Sequence, residues 1–475
     1  MRCLLALLVL ISTCVHAAPA QETWMSVVLG GRKIGSMHTT RDVTRERVVT
    51  VQRMQIELDR AGTRIAMSTT ETDEETPEGV PLAFESRTTL SGTETRVHGK
   101  VRNGHVEVHT NVAGEKQTKT LDWPRGALLA EGLRLAEERA GVAAGTSYTN
   151  LAFQPDTLDA VAIDSRVGET GSVDLPDGAR TLTRVDQVVH LPGAATHSVA
   201  WIDDEQNVAK LVMPIMGYEL TLLACSQECA QAPNQAADIL VHALVPAPRA
   251  ISVAERQHGL QLRLSASDGG EELKFVQTDE QSVVVAGGSV DLKIAPADGQ
   301  SPTVEGKPDA ADLRANDWLQ SNAREIRELA RKGAGDARGA REQMQNLEDF
   351  VRAFIRTKDL NVGYASALEV ARKPEGDCTE HAVLLAALGR ARGIPTRVVD
   401  GIVYVESYAG HEHVFVPHAW AQAYVDGHWQ SFDAALHGFD AGHIALSYGD
   451  GDPWRFFAGF NALGRMRIES VATMP

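Results

Sequence analysis

The chain has 475 residues, enough for about three domains of ordinary size, and its formal net charge at pH 7 is −17. The sequence contains no basic stripe with interleaved aromatic residues. The acidic net charge and the missing basic stripe therefore argue against nucleic acids and anionic membrane surfaces as partners.

Residues 1–20 have the pattern of a secretory signal peptide. The segment has a basic start, an apolar stretch at 3–15 and a small-residue cleavage site ending at Ala20. A lipoprotein signal through Cys14 is a weaker alternative, because Thr13 is an unusual residue before a modified cysteine. The apolar stretch is too short for a membrane span, and no other stretch reaches about 20 apolar residues. We predict an exported protein, periplasmic or extracellular, with no transmembrane segment.

Residues 21–235 are predicted to form a large antiparallel β-rich domain. Alternating apolar and polar residues mark its strands, which we place at 24–29, 48–58, 93–101, 105–112 and 208–223. Asn103-Gly104 joins two of these segments and is a hairpin-turn sequence. A helix is predicted over 127–140, as an interruption of the sheet.

Two further parts and a C-terminal tail follow. Residues 236–305 are predicted to be a small β-rich module, with strands at 260–265 and 283–294, and a Pro/Gly/Asp-rich linker comes after them. Residues 310–450 carry helical patterns first and strand patterns later, which predicts an α+β domain. Residues 451–475 form a C-terminal tail. The fold class is therefore multidomain.

Cys378 lies at the predicted start of a buried helix. Asp377 is a good N-cap and Glu380 follows three residues later, which is the capping-box pattern, and the run 382–388 is almost wholly apolar. The unpaired N–H groups and the dipole at a helix start favour the thiolate over the thiol. A small core residue with no chemical role is the alternative at this position.

A histidine and an aspartate are predicted to lie side by side downstream. Asp426-Gly427 separates two alternating runs and predicts a two-residue hairpin turn. Counting back from that turn places His418 and Asp433 on one face of the hairpin as diagonal neighbours, within reach of a hydrogen bond. The same face carries Trp420. A register slip of one residue would separate the pair.

Cysteine, histidine and aspartate together form the set that nucleophilic acyl transfer needs. A thiolate attacks a carbonyl carbon, the histidine moves the proton, and the carboxylate fixes the histidine's tautomer. The backbone N–H of Cys378 is the natural first oxyanion donor. Tyr364 is a candidate for the second donor, with a packing role as the alternative.

The two segments around these residues resemble the core of the transglutaminase-like superfamily. The strings are GDCTEHAVLLAALGRARGIPTRVV and HAWAQAYVDGHWQSFDAA, within about residues 310–445. The resemblance implies Cys378 as nucleophile, His418 as base and Asp433 as the orienting acid. The papain branch usually has a glutamine a few residues before its cysteine. This chain has Arg372 at that place, which argues against the papain branch.

The other cysteines and histidines suggest no cofactor. Cys225 and Cys229 form a close pair, and a disulfide is the simplest interpretation in an oxidising compartment. Two free thiols or a partial metal site are the alternatives. His411, Glu412 and His413 could ligate a metal, but a solvated loop is the simpler interpretation, so we predict neither metal nor cofactor.

The sequence thus predicts an exported cysteine-dependent enzyme that acts on peptide or side-chain amides, with hydrolysis slightly favoured. Two alternatives stay open. One is protein-glutamine transglutamination, in which an amine accepts the acyl group. The other is a non-catalytic binding or assembly protein with a relict core.

Overall fold

The computed structural model describes residues 21–60, 63–90, 93–112, 115–191, 194–215, 218–238, 243–266, 273–295, 304–357, 364–452 and 460–474. The predicted signal peptide at residues 1–20 lies outside the described residues, as does part of the predicted linker. Within these ranges, no helix has the length and apolar character needed to cross a membrane.

The N-terminal region forms one large, mostly antiparallel sheet, as predicted. Its strands are β1 (Gln21–Leu29), β2 (Arg32–Val43), β3 (Val48–Arg60), β4 (Thr63–Glu75), β5 (Pro81–Leu90), β6 (Thr93–Arg102), β7 (His105–Val112), β8 (Glu115–Asp122), β9 (Ala127–Leu128), β10 (Ser147–Gln154), β11 (Asp159–Leu175), β12 (Gly178–Leu191), β13 (Ala194–Ile202), β14 (Val208–Ile215) and β15 (Tyr218–Ala224). Among the described strands, the order runs from β8 back to β1, then from β15 back to β9.

The alternation of residue types explains why these segments are strands. Along β7, Val106, Val108 and Thr110 are buried, and the residues between them are exposed. Asn103 and Gly104 both have positive φ, which confirms the predicted hairpin turn before β7. The segment predicted as one strand at 208–223 is two strands, β14 and β15, paired with each other.

The sheet curls so that its two halves share a core. The rings of Phe84 on β5 and Phe153 on β10 are 5.0 Å apart, and Trp123 stacks on Phe153 at 4.4 Å. Helix α1 (Ala130–Ala140) begins later than predicted, because Ala127–Leu128 pair with β10 instead. A short helix, α2 (Gln227–Ala230), follows β15.

A smaller sheet joins the middle of the chain to its C-terminal segment. The middle elements are β16 (Val245–Pro246), α3 (Val253–His258), β17 (Leu260–Ala266), β18 (Gln281–Ala286) and β19 (Ser289–Ile294). The last strand, which we number β24 (Met466–Thr473), pairs with β17, and β16 pairs with a strand of the α+β domain that follows. Both pairings cross the predicted C-terminal boundary of the middle module, whose exact limits stay a prediction.

Helices precede strands in the remaining domain, which confirms its predicted α+β class. The elements are α4 (Arg324–Ala334), α5 (Ala340–Phe354), α6 (Ala367–Arg372), α7 (Cys378–Ala391), β20 (Thr396–Tyr408), β21 (His411–Val425), β22 (His428–Phe432) and β23 (His443–Gly449). The buried helix α7 packs on β20 and β21, where the small residues Ala419, Ala421 and Ala423 allow a close approach. Its apolar residues dominate the core of this domain.

Candidate active site

Cys378 is the first residue of α7, as the sequence predicts. Asp377 Oδ1 accepts a hydrogen bond from the Thr379 N–H at 3.0 Å, and Glu380 Oε2 accepts one from the Asp377 N–H at 2.9 Å. These contacts form the predicted capping box. Cys378 is partly exposed and is not in a disulfide. Its position at the positive end of the helix dipole favours the thiolate.

Glu380 also ties the preceding loop to α7. Its Oε1 atom accepts from the Ala365 N–H at 2.8 Å, so the two carboxylate oxygens hold two separate backbone segments. Gly376 packs against this side chain with φ of +143°, and a Cβ at residue 376 would lie 2.3 Å from Glu380 Cγ. The chain that leads to Cys378 therefore requires glycine at 376.

His418 and Asp433 form a hydrogen bond in the hairpin of β21 and β22. Asp426 and Gly427 both have positive φ, and Val425 faces His428, so the predicted register is present. His418 Nε2 lies 2.8 Å from Asp433 Oδ2, and both side chains are buried. Because Nε2 contacts the carboxylate, Nδ1 is the nitrogen left for proton exchange elsewhere.

Contacts on every side hold Asp433 in place. Its Oδ1 accepts from the N–H groups of Ala435 at 2.8 Å and Leu436 at 3.2 Å. Two side chains of α5 contact the backbone of the same residue. Glu348 accepts a hydrogen bond from the Asp433 N–H at 2.8 Å, and Arg352 donates one to the Asp433 carbonyl at 3.1 Å. Burial by itself would raise the pKa of Asp433, but the adjacent histidines lower it below the ordinary range, so this group is a carboxylate.

A second histidine contacts the same carboxylate oxygen, and the sequence reasoning missed it. His443 begins β23, and its Nε2 lies 3.0 Å from Asp433 Oδ2. Its Nδ1 lies 2.9 Å from the carbonyl oxygen of Asp440 and 3.4 Å from that residue's Oδ1. Burial opposes the charge of this ring, yet the two aspartates prevail and raise the pKa of His443 to about 9.

Another buried carboxyl group supports the hairpin from the middle of the chain. Glu280 accepts hydrogen bonds from the Ser431 N–H at 2.7 Å and from Gln422 Nε2 at 3.1 Å, and it also contacts the Ser431 hydroxyl. Burial raises the pKa of Glu280 to about 7, with these donors opposing the rise. The middle segment is therefore part of the scaffold that holds the hairpin.

The remaining candidates have other contacts. The Tyr364 hydroxyl donates to the Gly451 carbonyl at 2.9 Å, and burial raises the pKa of this side chain. That contact favours the packing role over an oxyanion donor. His411 and Glu412 are exposed at the start of β21, and His413 Nδ1 lies 3.0 Å from the Tyr404 hydroxyl.

His418, Asp433 and His443 also have the composition of a metal site. Among the described residues, they form the cluster whose ligand atoms converge, all within 4.8 Å of one another. The two histidine–carboxylate distances, 2.8 and 3.0 Å, are hydrogen-bond lengths. Those hydrogen bonds occupy the ring nitrogens that would otherwise bind a metal ion, so we interpret the cluster as a hydrogen-bond network.

Cys225 and Cys229 lie at disulfide distance, with their Cα atoms 6.0 Å apart, as predicted. Cys225 directly follows β15, and Cys229 lies in α2, which packs against β1 of the large sheet. It is remote in sequence from Cys378, which is the cysteine of the described residues outside this disulfide pair.

One family model matches the part of the chain that contains these residues. The model described as "Transglutaminase-like superfamily" matches residues 327–434. The C-terminal region of this chain therefore contains a transglutaminase-like domain, and its matched segment includes Cys378, His418 and Asp433. The match supports, in general terms, a cysteine-dependent enzyme. His443 lies outside the matched segment.

Three solved structures resemble parts of the chain. A beta-barrel-like protein of a domain of unknown function from Brucella abortus is 15% identical and covers 44% of this chain and 96% of its own, with a TM-score of 0.35. A "Putative Cysteine Protease" from Cytophaga hutchinsonii is 15% identical over 46% and 86%, with a TM-score of 0.27. A "putative protease" from Parabacteroides distasonis is 11% identical over 75% and 68%, with a TM-score of 0.21. No curated protein matches the sequence significantly.

Proposed function

We propose that this protein is an exported cysteine-dependent acyl-transfer enzyme that acts on peptide or side-chain amides. Cys378 is the nucleophile, His418 the general base and Asp433 the orienting acid. The buried hydrogen bond between His418 and Asp433 carries the proposal, because it is the contact that a catalytic histidine requires. The capped helix start at Cys378 and the family match over both segments add support.

The reaction proceeds in two balanced halves. The Cys378 thiolate forms a C–S bond to the amide carbonyl carbon, and the backbone N–H of Cys378 is positioned to stabilise the oxyanion. The C–N bond then breaks, and the imidazolium of His418 gives its Nδ1 proton to the leaving amine. In the second half, water attacks the thioester, His418 takes its proton, and the C–S bond breaks to regenerate the thiolate.

Hydrolysis is the reaction we favour, because water is always present and the chain offers no feature that marks an amine acceptor site. Amine transfer would follow the same steps with a primary amine in place of water. A glutamine-containing peptide, incubated with and without a primary amine, separates the two. Release of ammonia without amine incorporation supports hydrolysis, and efficient incorporation would assign transglutamination instead.

Alkylation of Cys378 tests the reactive centre without a known substrate. The mature chain is treated with iodoacetamide across pH 5–10, and modification at Cys378 is quantified by peptide mapping. A thiolate–imidazolium pair keeps Cys378 reactive well below the ordinary thiol pKa of about 8.5, and His418→Ala abolishes that reactivity. An ordinary thiol profile that His418→Ala leaves unchanged would contradict the proposal and favour a non-catalytic protein with a relict core.

A further inference from the structure

We propose that His443 is a positioning residue of this active site: it donates one ring N–H to Asp433 and the other to Asp440, and so holds the Asp433 carboxylate against His418. The inference rests on the proposed function and goes beyond it, because it adds a fourth side chain to the predicted three. That side chain lies on β23, outside the segment that the family model matches.

The geometry favours both ring nitrogens of His443 as donors. Nε2 faces a carboxylate oxygen of Asp433 at 3.0 Å, and Nδ1 faces the carbonyl oxygen of Asp440 at 2.9 Å. Neither oxygen carries a proton to donate, so a neutral ring would leave one nitrogen lone pair pointing at an oxygen lone pair. The Asp440 N–H also donates to Nδ1 at 3.3 Å, a contact that a neutral ring would accept, but the carbonyl oxygen is closer and the Asp440 carboxylate lies 3.4 Å from the same nitrogen.

The surroundings of His443 suit a buried cation. The ring lies 5.2 Å from that of Trp420, edge to face, and 4.9 Å from that of Phe439. Aromatic rings and carboxylates both stabilise a positive charge in a dry environment. The charged or titratable groups around it are Asp433, Asp440, His418, Glu280 and, behind Asp440, Arg256.

Two consequences for His418 follow. First, one carboxylate oxygen serves two imidazoles, so His443 holds Oδ2 of Asp433 where His418 can reach it. Second, the rings of His418 and His443 are 5.6 Å apart, so a charged His443 places a positive charge beside the reacting imidazole.

The test is the pH profile of Cys378 alkylation and of amide turnover in His443→Gln. We expect the basic limb of the turnover profile to move upward by roughly one pH unit, because the variant removes a positive charge next to the reacting groups, with turnover reduced about tenfold. Asp440→Asn keeps the side-chain shape and should move the limb in the same direction by less. His437→Gln, on the exposed loop before β23, is the matched control and should move nothing.

An independent readout is the protonation of His443 itself. In the intact protein at pH 7.5, nitrogen-15 NMR should show both ring nitrogens of His443 protonated, and Asp440→Asn should lower the pH at which one of them titrates. A neutral His443 at that pH, or a basic limb that neither variant moves while His418→Ala abolishes activation, overturns the inference alone. A wild-type Cys378 with an ordinary thiol profile overturns the proposed function as well.

Discussion

Gly401 lies directly opposite His418 where β20 pairs with β21. A Cβ at residue 401 would stand 2.1 Å from the Ile444 carbonyl oxygen and 2.8 Å from the ring of Trp420. Strand β23, which carries His443, and strand β21, which carries His418, therefore both approach β20 at a point that has no side chain. This close approach places the two histidines around one carboxylate.

Gly401→Ala should push these strands apart. We expect a loss of about 1–3 kcal/mol in the free energy of unfolding, because the contacts are with backbone and with a buried indole ring that has little space to move. Denaturant unfolding measures the loss, and amide turnover should fall with it. Gly171→Ala is the control, because a Cβ on that strand residue would contact nothing within 4 Å. Equal stability of the two variants would contradict the packing argument.

Asp433→Asn should be more damaging than its small change in shape suggests. The variant removes the charge that faces both His418 and His443, and the amide can present an N–H where the histidines need an acceptor. We expect kcat/KM to fall about 10²–10⁴-fold, as for the aspartate of other triads. Thermal stability should also fall, because His443 loses a buried counter-charge.

The control for that variant is Asp426→Asn in the same hairpin. Asp426 is exposed in the turn with positive φ, a conformation that asparagine adopts readily. When kcat/KM is measured at the same pH, Asp426→Asn should keep the wild-type value, whereas Asp433→Asn should lose most of it. If Asp433→Asn retained full turnover, Asp433 would not be the orienting acid.

Glu380→Gln should loosen the segment that leads to Cys378. The two carboxylate oxygens accept from the Asp377 and Ala365 N–H groups, and glutamine offers a single oxygen for the two donors. A buried donor left without an acceptor costs about 1–3 kcal/mol. Calorimetry should detect the loss, and Glu375→Gln is the comparison, because this side chain of the same loop is only partly buried and pairs with Lys373. A stability equal to that of the wild type would remove Glu380 from this structural role.

The stability of the fold should fall as the pH rises from about 5 to 9. Burial raises the pKa of Glu280, Glu348 and Asp400 to about 7 from ordinary values of 4.5, 4.5 and 3.8. Because the folded state keeps these protons longer than the unfolded chain, each group destabilises the fold progressively up to about pH 7. The pKa of His443 rises from 6.5 to about 9, so its stabilising contribution is complete below pH 6.5 and is lost through pH 9.

Melting temperatures at constant ionic strength and at pH 5, 7 and 9 test this prediction. Glu280→Gln should reduce the fall between pH 5 and 7, because it removes a group that must ionise while buried, and should leave the fall between 7 and 9 in place. A melting temperature that rises from pH 5 to 9 would show that other groups dominate the pH dependence.

The sequence allowed the His418–Asp433 contact to be predicted because it is local. The residues 426 and 427 define the turn, and strand geometry then fixes which side chains share a face. The start of α7 was predictable for a similar reason, since Asp377 and Glu380 cap it within four residues. Both features depend on neighbours in the chain.

His443 and Glu280 could not be predicted in this way. His443 reaches the site because β23 pairs with β20, and Glu280 reaches it from a segment that precedes the helices of the domain. Neither residue carries a local signal, and a buried polar side chain is identified only once its distant partners are known. The sequence-based prediction therefore found the histidine–aspartate pair and missed the groups that surround it.

The pairing of β24 with β17 has a consequence for biosynthesis. Leu260 lies opposite Thr473, and the Leu residues of β17 share the main core with α7 and with Ile468 of β24. A ribosome must therefore translate more than 200 further codons after β17 before that strand meets its partner. The domain that contains Cys378 can therefore reach its final packing only after residues 466–473 have emerged, so the proposed nucleophile acquires its full surroundings late in synthesis.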